Sequence, residues 1–250
     1  LPLLLAAHAL LSRPAEAIGR LERLHHVRLL AALVRRLVLI HADAHVGLLS
    51  QVLQTVDFSS LTYLSSTRVY EHTNHGHEAG EISINPSKPT DLFTLSKLLG
   101  ESLCLNSSKP CRIVRPSNVF GVNDPSKNFL PSVLREAAAK ARVKIMLSPE
   151  SSKDYVDVDD VVRWLHQIAA SATQPIYNLA SGRNTANAEI AFELEQQGVH
   201  VEFSDGGDTI VFPRIDNSRV AQEFGMPQTN LLKNLPKLFN AEKQNLRHQT

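Results

Sequence analysis

Two cysteines, one tryptophan and eleven glycines occur in the 250 residues, and neither sign of charge predominates. Cys104 and Cys111 are too few for a disulfide framework and lack metal-ligand spacing, so buried free thiols in a reducing, cytoplasmic setting are expected. The formal net charge of +1, from 26 basic and 25 acidic residues, excludes a broad basic surface for nucleic acid and an acidic tail. No stretch reaches membrane-spanning length without charge. The leucine-rich run from Leu1 to Leu11 lacks a basic leader and is too short to span a bilayer, so it reads as a buried helix or strand. Before residue 60 the only glycines are Gly19 and Gly47. A Gly-x-x-Gly-x-x-Gly turn, which lets backbone amides approach a pyrophosphate, is therefore missing. Internal repeats and low-complexity tracts are absent too. What remains is a chain long enough for a large core, with small-molecule chemistry open to it.

The most informative stretch is residues 63 to 101. Tyr63-Leu-Ser65-Ser66-Thr67-Arg68-Val69-Tyr70 is apolar and then hydroxyl-rich, which predicts a buried strand delivering Ser65, Ser66 and Thr67 to the carboxyl edge of a sheet. Thr90 and Asp91 are candidate caps for a helix from about Leu92 to Asn106, with Phe93 and Lys97 one turn apart on one face. Upstream, residues 1 to 36 carry leucines at helical intervals, and Leu37 to Ile40 reads as a strand running into His41-Ala42-Asp43-Ala44. A shortened helix is expected over Leu48 to Val56, and a strand over Cys111 to Pro116 that ends in Ser117-Asn118 and Gly121. Helices over Phe129 to Ala141, Ser218 to Phe224 and Asn230 to Phe239, with strands near Val143 to Leu147 and Val199 to Phe203, complete an alternation typical of a parallel sheet. The acidic run from Asp154 to Asp160 reads mainly as structural, with Asp159 or Asp160 capping the helix that carries Trp164, Leu165 and Ile168. Thr185 is expected to cap the next helix.

These motifs, in this order from about Leu37 to Phe239, resemble the extended short-chain dehydrogenase/reductase family of NAD-dependent nucleotide-sugar epimerases and dehydratases. The family's pattern is a strand-end Ser or Thr followed by Tyr-x-x-x-Lys on a helix, then Arg-Pro-x-Asn-Val-Tyr-Gly and Arg-Asp-Phe-Val-x-Val-x-Asp-Val. Here the corresponding residues are Ser66, Phe93 and Lys97, then Arg115-Pro116-Ser117-Asn118-Val-Phe-Gly121, then Lys153-Asp154-Tyr155-Val156. The resemblance implies a Rossmann-like doubly wound parallel sheet over residues 1–120 and a mainly substrate-binding lobe over 121–250. It implies a catalytic set of Ser66, the tyrosine position held by Phe93, and Lys97. Lys97, Ser65, Pro116 and Ala42 would hold NAD or NADP, and Thr67, Arg68 and Asn118 would meet the substrate.

Two readings of function follow. The first is a nucleotide-sugar epimerase or ketosugar reductase, possible in impaired form because phenylalanine has no proton to exchange; Tyr70, a histidine of the 71–88 loop or water would then have to shuttle it. Thr67 and Arg68 stand where the family's dehydratases have an Asp-Glu pair, so elimination is disfavoured. The second reading is a non-catalytic relative that binds a sugar nucleotide or a protein. A homodimer is expected through the helices near Leu48 and Leu92. A metal site at His41-Asp43-His45, or at His72, His75 and His77, is the lesser alternative to turn and loop roles.

Overall fold

The computed structural model describes residues 46–249. The helices expected before residue 37, the strand from Leu37, Ala42 and the His41-Asp43-His45 cluster lie outside the described residues. The described residues form two compact units, one of residues 46–56 with Asn85–Leu103, the other of Asp57–Ile84 with the chain from Cys104 onward.

The first unit contributes α1 (Leu48–Thr55) and α2 (Asp91–Leu105), the latter belonging to it as far as Leu103. Helix α2 begins at Asp91, one residue earlier than expected. Its carboxylate is buried and accepts hydrogen bonds from the Asn85 amide at 3.0 Å and the Thr90 hydroxyl at 3.3 Å. The approaching chain is thereby tied to the first turn, where the helix dipole favours negative charge.

The second unit is built on three parallel strands in the order β1 (Leu61–Leu64), β2 (Cys111–Pro116), and the later Ile176–Leu179, which is β6. Tyr63 lies opposite Ile113, and Val114 opposite Tyr177. These side chains are buried, as suits β-branched and aromatic residues on a covered sheet. Between β2 and β6 come β3 (Asn118–Phe120), α3 (Phe129–Lys140), β4 (Arg142–Ile145), β5 (Ser152–Asp157) and α4 (Val158–Ser171). After β6 follow β7 (Asn184–Ala186), α5 (Asn187–Gln196), β8 (His200–Phe203), α6 (Ser218–Phe224) and α7 (Leu231–Gln249). β3 pairs in parallel with β5, β5 antiparallel with β7, and β4 in parallel with β8. The architecture is Rossmann-like α/β with parallel sheets.

Two cores hold this unit. Trp164 and Ile168 of α4 pack with Val220 and Phe224 of α6 against Val114, Tyr177 and Leu179, and the Trp164 indole N–H is satisfied by the Gly225 carbonyl at 3.1 Å. The other core joins Leu134 of α3, Ile145, Leu194 of α5, and Leu235 and Phe239 of α7. Among the described residues no helix is long and apolar enough to cross a membrane.

Two expected caps are misplaced. Helix α4 starts from Asp157, whose carboxylate accepts the Asp159 amide at 2.8 Å, and not from Asp159 or Asp160. Asp160 instead accepts the amides of Gln228 and Thr229 at 2.9 to 3.1 Å, closing the loop into α7. Thr185 lies in β7; Ala186 precedes α5, and the Glu189 carboxylate returns to accept its amide at 2.8 Å. α7 also runs ten residues beyond Phe239. Replacing Asp157 with Ala is expected to lower stability by about 1–2 kcal/mol, since it loses the cap and the 3.1 Å bond from the Asn234 amide. Urea unfolding checks this; a change within error would show that the α4 cap carries no weight.

Candidate active site

Because β1, β2 and β6 are parallel, their carboxyl ends share one edge, and the residues just beyond them are Ser65-Ser66-Thr67, Ser117-Asn118 and Ala180-Ser181. Ser65 is buried, and its amide extends the β1–β2 pairing by donating to the Val114 carbonyl at 2.7 Å. Ser66 is the extended residue before a 3₁₀ turn, Thr67–Tyr70, and its Oγ accepts the Arg68 amide at 3.1 Å. The hydroxyl proton of Ser66 can therefore be directed at another acceptor. Thr67 Oγ1 donates to the Pro116 carbonyl at 3.4 Å, joining the ends of β1 and β2.

A cavity of about 260 Å³ opens beside this edge. Ser66, Thr67 and Arg68 form one wall, with Ser117 and Asn118 at the end of β2 beside them. Lys153 of β5, Ile210 and Phe212 line the cavity too. Arg68 is paired with Glu71 at 3.0 Å. Lys153 forms no ion pair or hydrogen bond among the described residues; its ammonium lies 5.1 Å from the Phe129 ring centroid and 5.7 Å from that of Tyr155. Burial holds its pKa below the ordinary lysine value, and the charge of Arg68 pushes in the same direction. Two cations and one carboxylate thus face the cavity, a balance that attracts an anion.

Asp154, beside Lys153, organises the floor. It is 1% exposed and accepts four hydrogen bonds: from the hydroxyls of Ser117 and Ser181 at 2.6 and 2.7 Å, and from the amides of Ser181 and Arg183 at 2.9 and 3.0 Å. Burial pushes its carboxyl pKa up, and these donors pull it back only in part. Asn118 donates its side-chain amide to the Asp154 carbonyl at 2.8 Å, which leaves its own amide oxygen to meet a donor. Ile210 and Phe212 reach the cavity because the Ile210 carbonyl and the Phe212 amide both bond to Ser152 at 2.9 Å.

The structure brings together Ser66, Thr67, Arg68 and Asn118 of the residues expected from the sequence. Ser65 and Pro116 sit at the strand ends without lining the cavity. Phe93 and Lys97 belong to α2, where Lys97 Nζ is 5.6 Å from the Phe93 ring centroid. Burial lowers the Lys97 pKa, and Glu101 opposes the shift. Tyr70 does not serve as an alternative proton shuttle. It is fully buried, donating to Asn178 Oδ1 at 2.9 Å and accepting from Arg115 at 2.6 Å, and burial raises its pKa. None of His72, His75 and His77 lines the cavity; the His75 ring packs 4.5 Å from His77. Lys153, Ile210 and Phe212 were not singled out in the sequence, although Lys153 precedes Asp154 where the resembled pattern has arginine.

Parallel strands whose carboxyl ends gather hydroxyls and cations beside a cavity define a Rossmann-like α/β protein. The chain belongs to the NAD dependent epimerase/dehydratase family, whose model matches residues 24–180. It is 34% identical over 89 residues to the sterol-4-alpha-carboxylate 3-dehydrogenase, decarboxylating, of Mus musculus, a match covering 33% of this chain and 24% of that one. The chain thus spans about a quarter of the length of this curated relative. Among solved structures, RMD from Pseudomonas aeruginosa complexed with NADPH superposes with a TM-score of 0.65 at 23% identity, covering 78% of this chain and 70% of that one. A tyrosine-to-phenylalanine mutant of UDP-glucuronic acid 4-epimerase from Bacillus cereus, in complex with UDP-4-deoxy-4-fluoro-glucuronic acid and NAD, gives 0.66 at 18% identity, covering 80% and 68%.

Proposed function

We propose that the chain belongs to an NAD(P)-dependent enzyme acting on a nucleotide sugar, as epimerase or ketosugar reductase. The observation that carries this reading is the unpaired ammonium of Lys153 in the same cavity as Arg68 and the Ser66 hydroxyl. A sugar nucleotide offers anionic oxygens to the cations and a sugar oxygen to the serine. Thr67 and Arg68 would frame the sugar, and the free amide oxygen of Asn118 would accept a substrate hydroxyl. No carboxylate pair stands at Thr67 and Arg68 to drive elimination, which favours epimerisation or reduction over dehydration.

For the cofactor, the parallel carboxyl edge of the second unit fits, whereas the glycine turn is absent from the sequence. Lys97 would hold the ribose, with Ser65 and Pro116 at the strand ends and Ala42, outside the described residues, completing the set. When bound, the nicotinamide supplies hydride transfer. The chain's own part is narrower. Ser66 donates a hydrogen bond to the reacting oxygen, and Phe93, lacking an ionisable group, leaves the proton to solvent.

A second reading, a relative that binds without turning over, is favoured by Phe93. The Bacillus cereus mutant, with phenylalanine in place of a tyrosine, is in complex with both a UDP-sugar and NAD, so that replacement is compatible with binding both ligands in that protein. Thermal protection by NADH and by UDP-glucuronic acid, together with the absorbance of bound NADH, tells the two readings apart. Protection without any absorbance change favours binding alone; no protection by either ligand removes both. Lys153→Met is expected to weaken UDP-glucuronic acid by about tenfold, or ~1.4 kcal/mol, in calorimetry. Unchanged affinity would mean that the anion lies elsewhere. The exposed leucines Leu48 of α1 and Leu92 and Leu99 of α2 support a homodimer through these helices, which sedimentation at micromolar concentration tests.

A further inference from the structure

A second cavity, of about 480 Å³, lies between the loop Asn123-Asp124-Pro125, the outer turns of α3 and the last third of α7. Glu242 of α7 lines it. Glu242 as a residue is only 8% exposed, and its carboxylate forms no hydrogen bond or ion pair among the described residues. A carboxylate on a mostly buried side chain, held by no protein donor, is open to a cation. Its neighbours do not supply one by contact. The Arg135 guanidinium is committed to the Asp124 carbonyl at 2.6 Å, to the Ser126 carbonyl and to the Ser132 hydroxyl at 3.5 Å. Glu136 is neutralised by Lys140 at 2.9 Å. With Asp124 and Glu242 against Arg135, the cavity carries one excess negative charge. Asn245 donates its amide to Asn123 Oδ1 at 2.6 Å, so its own carbonyl oxygen is left for a donor. Ala139, Pro125 and Leu246 supply apolar wall.

We propose that this cavity binds a small aliphatic amine, with the ammonium on the Glu242 carboxylate and the Asn245 amide oxygen and the carbon chain along Ala139 and Leu246. An ammonium carries three donors and no acceptor, which matches the acceptors left open. A divalent metal is a poorer match, because among the described residues no three His, Cys, Asp or Glu side chains are grouped to hold one. Burial pushes the Glu242 carboxyl pKa up, Arg135 opposes the shift, and Asp124 adds to it, consistent with a group lacking its counter-charge. The site is separate from the cavity at Ser66 and does not depend on the function proposed for it.

The test is calorimetric titration of the full chain with 1,5-diaminopentane, with 1,5-pentanediol and magnesium chloride as controls. Saturable binding with a dissociation constant on the order of 1 mM is expected for the diamine, and none for the diol or the metal. Glu242→Gln keeps the shape while removing the charge, and should weaken the diamine about tenfold or more. Ala139→Leu, at an exposed position on the cavity wall, should weaken it by filling space without touching the carboxylate. Thermal melts matching the parent protein establish that both variants are folded; were Glu242→Gln to misfold, Ala139→Leu decides alone. No saturation by about 10 mM overturns the proposal. So does equal binding of the diol, preferential binding of magnesium, or undiminished affinity in the folded variants.

Discussion

Phe93→Tyr is expected to raise epimerase-type turnover by up to about 10²-fold, measured with UDP-glucuronic acid and NAD as conversion per enzyme at saturating cofactor. The expectation rests on α2, where residues 93 and 97 share a face and Lys97 Nζ already lies over the ring of Phe93 at 5.6 Å. A phenol there would sit beside a cation, which favours its ionised form and brings its pKa toward the working range of a general acid/base. Burial lowers the Lys97 pKa, and Glu101 restores part of it, so the ammonium that would tune the phenol is itself held in check. Ser66→Ala in the tyrosine background should remove most of the gain, because the family's pattern assigns the hydroxyl and the phenol to one reacting oxygen. A variant that binds both ligands and turns over no faster than the parent would show that residue 93 does not reach the reaction. A variant that binds neither points to the missing glycine turn as the limiting defect.

The strands and helices of the second unit were legible where local pattern and tertiary packing agree. Cys111–Pro116 holds the β-branched pair Ile113-Val114 and ends at proline, and Ser218–Phe224 ends at a glycine with positive φ; both elements occur as expected. The helix caps were not legible to the residue, since Asp157, Asp159 and Asp160 are chemically equivalent in sequence. What distinguishes them is distant: Asn234 for Asp157, and the amides of Gln228 and Thr229 for Asp160. The site divides in the same way. Ser66, Thr67, Arg68 and Asn118 follow strand ends, which a hydrophobic pattern locates. Ile210 and Phe212 reach the cavity only through pairing with Ser152, some sixty residues away, and nothing in their own neighbourhood signals it. Tyr70 failed as a proton shuttle for a related reason: its partners Arg115 and Asn178 come from β2 and β6 and bury it.

Asp154→Ala is expected to cost about 3 kcal/mol at neutral pH and to weaken substrate binding with it. The substitution removes the acceptor shared by four donors; the Ser181 hydroxyl and the Arg183 amide keep the Arg183 carbonyl at 3.1 Å and Ser181 Oγ at 3.2 Å, whereas the Ser181 amide is fixed in the backbone and cannot turn to water without moving the chain. That segment follows β6, while Ser117 follows β2 and Asp154 lies within β5, so one carboxylate ties two strand ends to β5. Lys153 and Asn118 flank the same joint, the latter through the Asp154 carbonyl, so their placement should loosen as well. The pH dependence has a definite sign. Because burial raises the folded-state pKa above the unfolded value of about 4, Asp154's own linkage contribution is fully present below the unfolded pKa and declines as pH rises through the folded one. The difference between parent and variant should therefore be larger near pH 4 than at neutrality, opposite to a salt-bridged aspartate. Urea midpoints at the two pH values, with unchanged denaturant slopes, measure it. A neutral-pH loss under about 1 kcal/mol would mean that water takes over the four donors, and a difference that grows with pH would mean that the hydrogen bonds outweigh burial in setting the charge state of Asp154.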